Sequence, residues 1–283
     1  MSNKIISQET KAIIDSALAE AKNYFTLAAE QVQIAETKAV EARASYEVLV
    51  EMEGNVDNLI TKTSLTENEF LKIVGEGRQA EMTTGTEITL PNSLGTTNVW
   101  VVADVNHDNT TGTVDLVAKN LIQDSTTNAY STNGGIWGPT FIYSNSTIRN
   151  WLINTYITGF SSAIQSALKT MNVDNVDDTG SNIKTTKDKI KLLSCTELRF
   201  NPSSMMPSTA EGSAYPIFSY GTGSAANTKR VKYKADGTTA SWYWTRTRSA
   251  DAADCVCVST VGGDFSRFNR TRTDGGIVPV IRF

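Results

Sequence analysis

The chain has 283 residues, 40% of them hydrophobic and 20% charged, with a net charge of −4, three cysteines and one histidine. That length and apolar content suffice for a sizeable core and for more than one domain, and they exclude a chain disordered throughout. Too few cysteines exclude a disulfide framework, the lone histidine excludes a His-rich metal site, and no apolar run approaches the roughly 18 residues of a membrane span.

Charge is distributed unevenly. Residues 1–62 carry 6 basic and 10 acidic side chains, whereas residues 229–283 carry 10 basic and 5 acidic ones, so an acidic start gives way to a basic finish that suits anionic partners. The first eleven residues are polar, which predicts no secretory leader and a protein made in a cytoplasm, without membrane insertion.

Residues 9–62 read as one long helix with no proline and a single glycine, Gly54. Placing Ile14, Ala21, Ala28, Ala35, Ala42, Leu49 and Val56 at a, and Leu18, Phe25, Val32, Ala39, Tyr46, Glu53 and Ile60 at d, keeps the 4-3 spacing unbroken from Ile14 to Leu49, before Glu53 and Gly54 interrupt it. The pattern predicts a coiled-coil stem over residues 1–62, with residues 14–60 holding a homo-oligomer whose strand number the few β-branched positions do not fix. A stem of this length extends about 70 Å at about 1.5 Å per residue. Ser64 to Glu67 is a capping box for a short helix in a neck at residues 63–84.

Beyond residue 85 the pattern turns to strands: Glu87–Leu90, Val99–Val102 and Val114–Ala118. A helix is expected from Ser146 to about Lys169, with Ile148, Trp151, Leu152, Tyr156, Phe160, Ile164 and Leu168 on its apolar face. Residues 172–184 and 201–234 are rich in Gly, Ser, Thr, Asn and Pro and read as long loops. Alternation of aromatic and β-branched residues around glycine pairs makes residues 242–283 a set of antiparallel strands ending in a buried one, with Trp244 in the core.

Two local patterns invite chemistry. Asp104, Asn106, Asp108 and Asp115 fall at positions 1, 3, 5 and 12 of a calcium loop, but Asn109 replaces the glycine needed at position 6 and Asp115 is shorter than the usual glutamate, so a polar hairpin turn is expected and no metal site. His107 is read as part of that turn. Cys255 and Cys257 share one strand face and, with Cys195, are expected to be reduced structural thiols.

Three segments together carry a family resemblance: Ser146-Thr-Ile-Arg149-Asn-Trp151-Leu152, Thr186-Lys-Asp188-Lys-Ile190-Lys-Leu-Leu193-Ser, and the finish from Trp242-Tyr-Trp-Thr-Arg246 to Gly276-Ile-Val-Pro-Val-Ile-Arg-Phe283. They resemble a large uncharacterised family of bacterial and phage C-type-lectin-fold domains whose members end in a Trp-Trp-Leu-Arg-Ser segment and a Gly-Val-Arg-Pro-Ala strand. Val278 stands where an arginine usually precedes the proline. The resemblance implies an α+β chain: an N-terminal coiled-coil helix followed, over residues 85–283, by a C-type-lectin-like head also similar to the formylglycine-generating enzymes. Those enzymes use a cysteine pair, yet nothing in the sequence gives Cys255 and Cys257 an electropositive, accessible setting, and no catalysis or cofactor is expected. Calcium-dependent sugar binding is not expected either, since Leu90-Pro91-Asn92 lacks the acid of the lectin motif.

The layout is similar to phage fibre and receptor-binding proteins, which implies a virion component whose stem, expected as a trimer held by residues 14–60, meets other virion proteins at its N-terminus and whose head meets a host-surface glycan or protein, with no nucleic acid. Tropism proteins diversified by retroelements place a variable face late in this fold. Here that stretch is Ser249–Thr273, with Asp251, Asp254, Asp264, Ser266, Arg267, Phe268, Asn269, Arg270 and Arg272 as expected contacts. A structural head-fibre or decoration protein and a bacterial ligand-binding module remain as alternatives.

Overall fold

The computed structural model describes residues 7–53, 56–122, 137, 140, 142–201, 203–220, 228–250, 254–260, 264–272 and 274–283, with side chains left aside at 44–53. The chain divides into two compact units, residues 1–56 and 57–283.

The first unit is one helix, α1 (Gln8–Glu53). Ser7 opens it, accepting from the Thr10 amide at 3.2 Å as an N-cap does. Every side chain from 8 to 43 is exposed, including the a and d residues Ile14, Leu18, Phe25 and Val32 at 50%, 56%, 79% and 58%.

A separate helix, α2 (Val56–Ile60), straddles the division, and the second unit continues with β1 (Ser64–Leu65); Val56 and Ile60, expected in the coiled-coil seam, are buried in α2 instead. The capping box sits two residues later than expected: Thr66, not Ser64, caps α3 (Glu67–Gly75), with Glu69 reaching back to the Thr66 amide at 2.8 Å. Ser64 is unavailable as a cap because it is extended, paired with Glu87. The segment expected as a neck is therefore built into this unit, and Phe70 of α3 meets the Phe283 ring edge-on at 4.7 Å.

A six-stranded sheet is its centre. It comprises β1, β2 (Glu87–Thr89), β3 (Val99–Val105), β4 (Val114–Ala118), β7 (Ile190–Leu192) and β13 (Pro279–Arg282), ordered β1-β2-β3-β4-β13-β7. The last strand lies inside the sheet, antiparallel to both neighbours, and Val280, Ile281 and Phe283 are fully buried. All seven apolar residues expected on the 146–169 helix are buried, but the helix is broken in two. α4 (Thr147–Asn154), capped by Ser146, gives way to a 3-10 turn at Tyr156–Gly159, and Ser161 caps α5 (Ser162–Ala167). The break brings Gly159 against Asn92, whose Oδ1 lies 2.2 Å from where a Cβ would stand.

Residues 172–184 are likewise not a long loop. They belong to a hairpin of β5 (Met171–Val176) and β6 (Ile183–Asp188), paired residue for residue from Met171↔Asp188 to Val176↔Ile183. Two further sheets complete the unit: β8 (Lys232–Tyr233) with β9 (Ala240–Ser241), and β10 (Tyr243–Arg248), β11 (Asp254–Val258) and β12 (Phe265–Asn269) in that order. Among the described residues no helix is long and apolar enough to cross a membrane.

Candidate functional site

Of residues 249–273, the described ones include β11, β12 and the turn after β12 of the three-stranded sheet. Its inner strands are fixed from within. Trp244 is fully buried opposite Cys257, and a register shift between Trp244 and Arg248 bends β10. Burial pushes the thiols of Cys195 and Cys257 up to about 12 and that of Cys255 well above its ordinary value, so at neutral pH they stay protonated and poorly nucleophilic.

β12 is the edge strand, and its side chains supply the outward chemistry. Alternation puts Ser266 and Phe268 on one face and Phe265, Arg267 and Asn269 on the other. Phe265 packs inward on Phe200, ring centres 5.4 Å apart, while Arg267 and Asn269 are exposed. Arg267 lies 3.9 Å from Asp254, and Asn269 Oδ1 accepts from the Thr271 amide and hydroxyl at 3.0 and 2.8 Å, forming the turn after the strand.

The other face holds a compact plate. Phe268 meets half-buried Trp242 at 4.7 Å, and the Arg272 guanidinium lies 4.3 Å from the Phe268 ring centre and 5.1 Å from that of Trp242. Arg272 donates from Nε and Nη2 to Asp274, which holds the cation against the two rings. Gly275 permits this approach: a Cβ there would stand 2.4 Å from two Trp242 ring atoms.

The expected contacts thus fall into groups. Arg267, Asn269 and Arg272 are exposed; Asp254, Asp264, Ser266, Phe268 and Arg270 are half-buried; Asp251 lies outside the described residues. Trp242 belongs to the plate and was not among them, although an aromatic two residues before a core tryptophan on an end strand is a legible signal.

The arginines of the three motif segments have a different task. Arg149 of α4 forks onto Asp188 of β6 at 2.8 and 2.5 Å. Arg282 of β13 forks onto its cross-strand partner Asp115, which also accepts from Tyr215 at 2.6 Å. Arg246, fully buried, donates all five of its N–H bonds: two to Glu197 and one each to the carbonyls of Asp174, Leu192 and Glu211. Lys191 adds a second cation to Glu197 at 2.7 Å. Burial alone raises the Glu197 carboxyl, but Arg246 and Lys191 outweigh it and hold it at about 2.

The calcium-like pattern is a polar hairpin. Asp104 accepts from His107 Nδ1 at 2.8 Å, Asn106 accepts from the Gly112 amide at 2.7 Å, and Asp115 is buried under Arg282 and Tyr215. His107 is buried rather than at the surface, stacked 3.8 Å from Tyr215. The oxygens expected at positions 1, 3 and 12 are thus committed to protein donors.

No curated protein and no solved structure matches the chain. The family model described as Domain of unknown function (DUF6273) matches residues 115–282, from the start of the Asp115 pairing to Arg282 itself. That span is more than half of the sequence and includes the edge strand and the three motif segments except the final Phe283, so the chain belongs to the family described as Domain of unknown function (DUF6273).

Proposed function

We propose that the protein is a binding component of a phage virion: a fibre or receptor-binding protein with an oligomeric α-helical stem and a C-type-lectin-like head. The observation that carries this reading is the exposed seam of α1. Ile14, Leu18, Phe25 and Val32 stand open to solvent at 4-3 spacing along 46 helical residues, and a lone helix of this kind gains its stability by burying that stripe against copies of itself. The stem, trimeric in this proposal, joins other virion proteins through its N-terminal end.

The head then supplies recognition rather than catalysis. Its edge strand and the Arg272–Trp242–Phe268 plate offer the arginine, aromatic and short polar groups that suit contact with a host-surface glycan or protein. Sedimentation of the full chain and immunogold electron microscopy of purified particles test the reading together. A trimer and label on the virion are expected. A monomer removes the stem, and unlabelled particles remove the virion. If label is present but Arg267→Ala with Asn269→Ala leaves adsorption to host envelopes unchanged, the head is a structural or decorative part instead.

A further inference from the structure

A cavity of about 470 Å³ opens beside the end of β4, within the about 300–1,000 Å³ range of small-molecule sites. Glu87, Lys119, Phe218, Lys229, Lys232 and Tyr233 are among the residues lining it. Three of these are cations and one is an acid, and that acid is already taken by Lys119 at 2.6 Å.

Lys232 is the unusual member. It is buried, and its Nζ donates to the carbonyls of Ala118 and Lys119 at 3.0 and 3.1 Å, but no carboxylate pairs with it among the described residues. Buried charges are ordinarily paired, because removing an ammonium from water without a counter-charge costs several kcal/mol. Burial, with Lys229 and Lys119 nearby, pushes the amine down to about 7. A neutral amine there is satisfied by its two carbonyls. Protonation adds a third N–H and a charge, and neither is answered by the protein.

We propose that this cavity binds a small organic anion, its carboxylate or phosphate head meeting Lys232, Lys229 and Lys119 and its body resting against Phe218 and Tyr233. The anion supplies the missing counter-charge, so binding favours the protonated amine. Above about pH 7 each bound anion therefore takes up a proton, and affinity falls by up to about tenfold per pH unit.

Calorimetric titration of the full chain at low salt tests this, with benzoate and inorganic phosphate as anions and benzyl alcohol as the neutral control. Saturable binding of an anion at pH 6, weaker at pH 8, with uptake of nearly one proton at pH 8 in buffers of different ionisation enthalpy, is expected; the tighter anion identifies the head group. Lys232→Met should abolish binding and Lys229→Ala weaken it severalfold. If the Lys232 variant does not fold, the Lys229 variant and the proton uptake decide. No saturable binding, equal binding of benzyl alcohol and benzoate, no proton uptake, or variants that bind like the natural chain would each overturn the proposal and leave Lys232 as a strap between β8 and β4.

Discussion

Replacing Arg246 by methionine tests whether the head is closed around a buried ion cluster. The substitution keeps the length of the stem but removes five donors at once, leaving Glu197 with Lys191 as its remaining cation and three carbonyls short of a partner. Removing one partner of a buried, hydrogen-bonded pair costs about 3–5 kcal/mol, a large part of the roughly 5–15 kcal/mol that holds a domain together. With a urea slope near 3 kcal/mol/M, the upper end for small proteins, the unfolding midpoint falls by about 1–2 M at unchanged slope. The assay is equilibrium unfolding in urea followed by tryptophan fluorescence. Removing the rest of the cluster as well, with Glu197→Gln and Lys191→Met, should restore part of the loss, because no buried charge of the cluster is then left without its partner. A midpoint shift below about 0.3 M for Arg246→Met would refute the reasoning, since it would mean that water reaches Glu197.

Three further outcomes follow from the same geometry. Glu197, held at about 2 against an ordinary 4.5, contributes stability that is full above pH 4.5 and lost as pH falls toward 2, an effect of about 3 kcal/mol; acid unfolding of Glu197→Gln should be correspondingly flatter. Lys232, held at about 7 against 10.5, makes the unfolded chain bind more protons between those values, so stability should rise with pH from 7 to 10.5, and thermal melts of Lys232→Met should lack that rise. Gly275→Ala drives a methyl into Trp242 and should lower the melting temperature by several degrees while changing tryptophan fluorescence; an unchanged spectrum would show that the ring plate yields freely.

Where local pattern and tertiary demand agree, the elements were readable. Val99–Val102 and Val114–Ala118 are strands in register, and every apolar residue from Ile148 to Leu168 that the helical spacing selected is buried. The misreadings have local causes. Ser64 and Thr66 each stand three residues before a glutamate, so two capping boxes overlap, and only the pairing of Leu65 with Ile88 decides between them. The apolar spacing of residues 148–168 runs on through the 3-10 turn because a tight bend keeps the same side inward. β5 is written in Asn, Asp and Val, a composition that turns share, and its partner strand rather than its propensity makes it extended. The ion cluster was invisible for another reason: Glu197 and Arg246 lie 49 residues apart, and no spacing rule joins them.

The residues that carry the family resemblance and those that carry chemistry outward are different sets. Arg149 is the charged residue of the first motif segment, Arg246 and Arg282 are those of the third, and each is spent inside the fold on an acid from elsewhere in the chain: Asp188, Glu197 and Asp115. Arg246 has every guanidinium N–H committed to a protein acceptor and cannot also meet a ligand, and Arg149 and Arg282 spend their forks on Asp188 and Asp115, so these motifs specify how the helix, the hairpin and the last strand lock together. What they leave unspecified is the edge: Arg267, Asn269 and the Arg272 plate hang on a strand whose inner neighbours are already fixed by Trp244, Val256 and Cys257. Substitution along that edge perturbs few core contacts, so under the proposed binding function it is where ligand preference would change while the fold stays constant.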